Sequence, residues 1–193
     1  YAPFLIQRPF EQLKLDFAHQ GTGAVFVSVG ASYDAAAAGR THQAPEDVAL
    51  LSTLPDWRIH VPGHPDELEP LLRAAVIDRE CVYIRLSEEE NEKPVDVQSN
   101  SLATVRSGSA KSAAVIAVGP VLDQVSEAVN DLDVTVLYTN TPRPFDGETL
   151  RSMVDTPEVV VVEPYMEGTS AAAISSALAH IPHRLLCIEK KKK

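Results

Sequence analysis

A succession of short apolar runs rich in Val, Ile and Ala, at 24–29, 58–61, 81–86, 113–118, 134–138, 159–162 and 184–188, constrains the fold of this chain more than any other feature of it. Such runs are too short to be helices that bury a face, and their β-branched content suits strands, the run 24–29 a buried parallel one. Between them lie stretches with helical spacing. Phe10, Leu13 and Phe17 recur on one helical face between Pro9, which suits a first-turn position, and Gly21, which suits a stop. Pro45, Glu46 and Asp47 open a second helix ahead of Val48-Ala49-Leu50-Leu51, with two carboxylates at the positive end of its dipole. Further helical patterns occupy 66–77, 122–132, 147–154 and 170–180. Strict alternation of strand and helix predicts an α/β fold with parallel or mostly parallel sheets and right-handed crossovers.

At 193 residues and 45% apolar content, the chain can bury a sizeable core as one large domain or two small ones. A break falls at Ser87–Pro94, which is charged, proline-terminated and without apolar period. The expectation is two small domains, each a mostly parallel sheet flanked by helices: residues 1–90, a linker at 91–111, and residues 112–193. Glu88–Glu90 read most simply as a solvated part of the break. The formal charge of −10 excludes nucleic acid as a main partner, since that affinity comes largely from phosphate neutralisation by Lys and Arg. No stretch approaches the ~18 uninterrupted apolar residues of a membrane-spanning helix, and no charged-then-apolar leader precedes the first strand. The chain therefore reads as soluble and cytoplasmic, with no membrane partner. Cys81 and Cys187 sit in apolar runs and form no C-x-x-C pair, which suits reduced core thiols. Tyr1 starts mid-pattern, so missing sequence is expected before it; the Lys190–Lys193 run suits a tag or tail.

The chemistry is expected on the loop after the first strand, where Gly39-Arg40-Thr41-His42-Gln43 places an imidazole at a strand's end. On the residues alone His42 is either a catalytic group or a loop histidine capping the helix near Pro45. The other histidines offer less. His60 and His64 are separated by Val61-Pro62-Gly63, which forbids the i, i+4 geometry of a helical metal pair, and no metal site is expected in this chain. Gly119 is a lone glycine without dinucleotide-binding spacing, and no G-x-S-x-G elbow occurs.

Taken with Gln7-Arg8-Pro9-Phe10-Glu11-Gln12 upstream and Pro55-Asp56-Trp57-Arg58-Ile59-His60-Val61-Pro62 downstream, the Thr41-His42-Gln43 loop resembles the pyrimidine-binding domain of the transketolase family, 1-deoxy-xylulose-5-phosphate synthase included. The resemblance implies that residues 1–90 are part of a pyrimidine-binding domain and residues 112–193 a transketolase C-terminal domain. It implies thiamine diphosphate as cofactor, whose thiazolium carbon does the bond-making chemistry. His42 would then lie in the channel as the catalytic and substrate-binding imidazole. Arg8 would contact the cofactor or a domain interface, or else be a solvated charge at a helix start. A gapless count back from Arg8 puts Leu5 where the family stacks an aromatic on the aminopyrimidine, with Phe4 beside it. Arg85 matches an arginine of the synthase and is expected to bind substrate.

Other family parts are not in this sequence. The Gly-Asp-Gly motif of the pyrophosphate domain is missing, as Asp146-Gly147 has neither the preceding glycine nor the downstream Asn, and the activating glutamate would lie upstream of Tyr1. The resemblance thus implies a partner chain, the pyrophosphate-domain subunit, that holds Mg²⁺ and the diphosphate, within a homo-oligomer or heterotetramer. Two residues depart from the pattern. Ala38 stands where transketolase has an aspartate that reads a sugar hydroxyl, and Glu88 where the family grips phosphate with an arginine. The leading expectation is the C-terminal section of an enzyme transferring a two-carbon ketol unit. The alternatives are the β subunit of a 2-oxoacid dehydrogenase E1 component and a non-catalytic assembly module of the same fold.

Overall fold

The alternation of strands and helices becomes two sheets in the computed structural model, which describes residues 1–97, 101–109 and 112–190. In the first unit β1 (Ala24–Ser28), β2 (Trp57–His60) and β3 (Cys81–Arg85) form a wholly parallel sheet in the order β1-β3-β2. Its helices are α1 (Phe10–Gln12), which runs on into a wider π-type helix at Leu13–His19, then α2 (Asp47–Leu51) and α3 (Pro65–Asp78). The second unit holds β4 (Ala103–Arg106), β5 (Ala113–Val118), β6 (Val134–Thr139), β7 (Glu158–Glu163) and β8 (Arg184–Glu189) in the order β4-β6-β5-β7-β8. All pairings there are parallel except that of β4 with β6. Its helices are α4 (Leu122–Ala128), α5 (Gly147–Met153) and α6 (Ala171–Ala177).

Three local features differ from expectation. β1 is not a fully buried strand: it pairs only with β3, so it lies at an edge, and Val27 is 44% exposed. β4 falls inside the stretch read as linker. It is four residues long and its register shifts between Thr104 and Arg106, so it gives no sustained alternation to read. The Ser87–Pro94 break is also not simply solvated. Asn91 is buried, donating from its backbone to Gly63 O (2.7 Å) and from Nδ2 to Gly119 O (3.1 Å). Of the terminal lysines, Lys190 pairs with Glu89, and Lys191–Lys193 lie outside the described residues.

The two units share one core. Ile6, Leu51, Trp57, Ile59 and Val61 of the first belong to the same buried cluster as Ile116, Leu137, Leu150, Val161 and Leu178 of the second. Each such side chain contributes on the order of 1.5–3 kcal/mol by burial. The outer edge of β2 is covered by the segment after β6: Ile59 N–H donates to Arg143 O (2.7 Å), Val61 N–H to Asn140 O (2.7 Å), and the Arg143 guanidinium donates to Leu51 O and Leu54 O (3.3 and 2.6 Å). At the carboxyl end of β5, Gly119 has φ +60° and a Cβ there would lie 2.6 Å from Val61 O. α4 packs on one face of the second sheet, while α5 and α6 pack on the other. The end of β5 is thus where such sheets open a ligand crevice, and here the first unit fills it.

His60 lies in this seam, fully buried, with Nδ1 2.9 Å from Thr141 Oγ1. The Thr141 hydroxyl donates to Asn140 Oδ1 (3.0 Å), so Nδ1 carries the imidazole proton. Among the described residues Nε2 has no hydrogen-bond partner. Burial, with Arg58 nearby, lowers its pKa from 6.5 to about 4. Above pH 6.5 the histidine is neutral in both folded and unfolded chains. Between pH 6.5 and 4 only the unfolded chain takes up the proton, so stability falls on acidification, by about 3 kcal/mol for this group. Urea unfolding from pH 7 to 4 measures it, and His60→Gln is expected to flatten the profile over that window.

Candidate active site

Pro3 opens a π-type helical turn, Pro3–Gln7, closed by Arg8 N–H donating to Pro3 O (3.0 Å). Pro9 brings no N–H, so the turn stops there and the chain restarts at α1. Ala2 N–H donates to Val29 O (2.9 Å), which ties this turn to the end of β1. Ile6 is buried and Leu5 packs against the shared core. Phe4 and Arg8, one turn apart, stay outward, with the Arg8 guanidinium carbon 4.2 Å from the Phe4 ring centroid.

The loop from Ser32 to Ala44 is pinched at its neck by Ala44 N–H donating to Ser32 O (2.9 Å). Within it, tight turns at Ala36–Ala38 and Arg40–His42 meet at Gly39, whose φ 73° and ψ −169° are essentially glycine-only. That reversal brings His42 back onto the Pro3–Gln7 turn. Its ring meets Phe4 edge-on at 5.0 Å between centroids and Tyr1 at 5.6 Å, while Tyr1 and Phe4 are 6.1 Å apart. Nδ1 lies 2.9 Å from Thr41 Oγ1, so Nε2 is the nitrogen left to meet a ligand. Glu46 braces the arrangement: Oε2 accepts from Gln7 Nε2 (2.9 Å) and Oε1 pairs with Arg40.

Phe4, Arg8 and His42 therefore converge, together with Tyr1, while two other expected site residues do not join them. Leu5 turns to the core because neighbours on a helical turn point to different sides, so Phe4 presents the aromatic face that the gapless count assigned to Leu5. Arg85 is 1% exposed at the end of β3. Its Nε donates to Asp47 Oδ2 (2.8 Å), one Nη donates to Ser32 Oγ (2.5 Å), and the guanidinium lies over the Tyr165 ring. Tyr83 donates to Asp47 Oδ2 (2.8 Å); burial and the Asp47 carboxylate push its pKa well above 10, so it stays a phenol. Arg85 is thus held in a buried ion pair with Asp47, while its Nη1 has no hydrogen-bond partner among the described residues. Glu88 donates from its backbone to Asp34 Oδ2 (3.0 Å). His64 caps α3 by accepting from Asp66 N–H (3.1 Å), and so has a role apart from His60.

No pattern along the chain marks Tyr1 as a site residue or Glu46 as a brace. Asp47 reads as a helix-start acid, and only the three-dimensional meeting of α2 with β3 reveals its partner. Among the described residues, no group of three or more His, Cys, Asp or Glu side chains converges as metal ligands. Among the described residues no helix is long and apolar enough to cross a membrane.

A parallel α/β unit with an imidazole loop folded against an aromatic turn has known counterparts: residues 1–93 match the transketolase pyrimidine-binding domain, and the chain as a whole resembles the C-terminal section of the transketolase family. It is 46% identical to an uncharacterized 33.6 kDa protein in the fasciation locus of Rhodococcoides fascians, over 97% of this chain and 60% of that one. It is 26% identical to one of the subunits of apulose-4-phosphate transketolase from Actinobacillus succinogenes, over 92% of this chain and 60% of the relative. With 1-deoxy-D-xylulose-5-phosphate synthase of Histophilus somni the identity is 24%, over 92% of this chain and 29% of the synthase. The chain thus spans little more than half the length of the first two relatives. The structure of a split-gene transketolase, described as an inactive beta4 tetramer, superposes with a TM-score of 0.81 at 21% identity, over 96% of this chain and 63% of that one, and so shares the fold.

Proposed function

We propose that this chain is the C-terminal part of a thiamine-diphosphate-dependent, transketolase-like transferase that moves a two-carbon ketol unit, and that a second polypeptide supplies the pyrophosphate domain with its Mg²⁺. The observation that carries this reading is the convergence of Phe4, Arg8 and His42 within a transketolase pyrimidine-binding domain. The fit of the cofactor is physical. Phe4 is 37% exposed, with Tyr1 and His42 packed at steep angles to its ring and the Arg8 guanidinium over one face, so the opposite face would be the one to stack on an aminopyrimidine. Arg8 is an outward guanidinium beside it, free to meet the cofactor or a partner surface. When bound, thiamine diphosphate would supply the nucleophilic carbon for chemistry at a donor carbonyl. His42, its Nδ1 beside the Thr41 hydroxyl, would use Nε2 to hold the substrate oxygen that gains charge, with Thr41 orienting the ring. The Tyr1–Phe4–His42 face is where the partner polypeptide closes over the cofactor and excludes water. The assembly is a homo-oligomer or heterotetramer working in the cytoplasm.

Ala38 and Glu88 favour a non-catalytic module of the same fold as the second reading, because neither side chain suits the sugar-phosphate role its position has in transketolase, while His42 speaks against it; the 2-oxoacid dehydrogenase β subunit, with the same domain order, is the alternative within the enzyme class. The test is reconstitution with the polypeptide that carries the pyrophosphate domain. Cofactor-dependent turnover of a ketol donor such as hydroxypyruvate supports transketolase chemistry, and turnover of pyruvate alone favours the dehydrogenase β subunit. No turnover of either by a stable, cofactor-loaded complex supports a non-catalytic module. For this chain alone, the cofactor affinity with Mg²⁺ present is expected to be weaker than ~1 mM, about −4.1 kcal/mol. Titration calorimetry measures it, and tighter binding would reveal a diphosphate site within the chain itself.

A further inference from the structure

The neck of the His42 loop is held from the second unit. On one side the Ser32 hydroxyl donates to Pro164 O while receiving Arg85 (2.5 Å), and the Tyr33 hydroxyl donates to Glu189 Oε1 (2.9 Å). On the other side, just past Ala44, Met166 N–H donates to Pro45 O (2.8 Å). Tyr165 lies under the Arg85 guanidinium, 5.6 Å from its ring centroid. Both strands of the loop's neck are therefore gripped by the carboxyl ends of β7 and β8. Within the loop Ala36–Ala38 are exposed, while Asp34 accepts from Ser87 and Glu88, Arg40 pairs with Glu46 and His42 packs on Phe4 and Tyr1, all contacts within the first unit and the segment that follows it.

We propose that the second unit is a positioning element of the reaction centre: through Ser32, Tyr33 and Met166 it fixes the neck of the loop and so the place of the His42 imidazole. The inference rests on the reading of His42 as the catalytic imidazole. It gives the second unit a task in the reaction, since its own sheet-end crevice is filled by the first unit. The path is short and made of direct contacts. Pro164 to Met166 follow β7 without a break, so any shift of that sheet edge moves both sides of the neck together. His42 lies only two residues from the neck at Ala44, so a shift of a few tenths of an ångström there is passed directly to the imidazole.

The test uses Tyr33→Phe and Ser32→Ala, singly and together, each removing one hydroxyl. In the chain alone, hydrogen–deuterium exchange of residues 33–43 is expected to quicken by about tenfold or more in the double variant, with the urea midpoint little changed. Tyr33→Phe keeps the test alive if the buried Ser32 substitution disturbs folding. In the reconstituted complex, kcat is expected to fall about tenfold or more with KM hardly moved, the mark of a misplaced group rather than a lost binding contact. Unchanged exchange in the loop overturns the proposal, as does quicker exchange with kcat unmoved. A His42→Ala control separates the two readings. If His42→Ala leaves turnover intact, it is the catalytic reading of the loop that has failed. If His42→Ala abolishes turnover while the neck variants neither loosen the loop nor slow the complex, the failure belongs to the positioning role alone.

Discussion

Arg85→Ala is expected to lower the unfolding free energy by about 3–5 kcal/mol, because it leaves the Asp47 carboxylate buried without its cation. Both side chains of the pair are 0% exposed, so no water takes the place of the guanidinium. Asp47→Ala is expected to cost a similar amount from the other side, since Arg85, Tyr83 and the Val48 N–H all donate to that carboxylate. The double variant is expected to cost clearly less than the two single losses together, as removing both charges abolishes the uncompensated one. Urea unfolding of the four proteins closes the cycle. A single-variant loss below about 1 kcal/mol would place the pair with solvated surface bridges and not with buried ones.

That ion pair also marks where the sequence stops being legible. The strands were readable because short β-branched runs allow little else, and all of those expected are present. β1 departs only in its burial: the composition of Ala24–Ser28 suits an interior strand, yet its position at the sheet edge is a fact of topology that no local pattern carries. β4 was hidden because four residues with a register shift carry no period. The split into two units was visible at Ser87–Pro94, but their shared core was not, since Ile59 and Ile116 look the same whether they pack within a unit or across a seam. The same holds at the site. His42 stood out because a glycine-framed imidazole after a strand is rare, and Arg8 because of its motif. Between Phe4 and Leu5 the choice depended on which way one helical turn faces. For Arg85 it depended on Asp47, thirty-eight residues away along the chain and in direct contact in space.

In the complex with the pyrophosphate-domain polypeptide, His42→Ala is expected to reduce turnover by about 10²–10³-fold, the scale of losing one donor to a developing oxyanion. Cofactor affinity should hardly change, because the diphosphate and the aminopyrimidine are expected to be held by groups other than the imidazole. Folding should also survive. His42 is partly exposed, its side chain hydrogen-bonds to the adjacent Thr41 alone among the described residues, and the loop neck closes through Ser32 and Ala44 without it. These expectations separate catalysis from capping. A cap at the start of α2 would be felt in stability, but the imidazole makes no such bond: Val48 N–H is satisfied by Asp47 Oδ1 at 2.8 Å. Turnover per folded, cofactor-loaded complex, measured beside thermal unfolding and cofactor titration of the same variant, therefore isolates the chemical role. A variant that unfolds early or binds cofactor poorly, yet turns over normally once loaded, would show that His42 serves only to shape the loop.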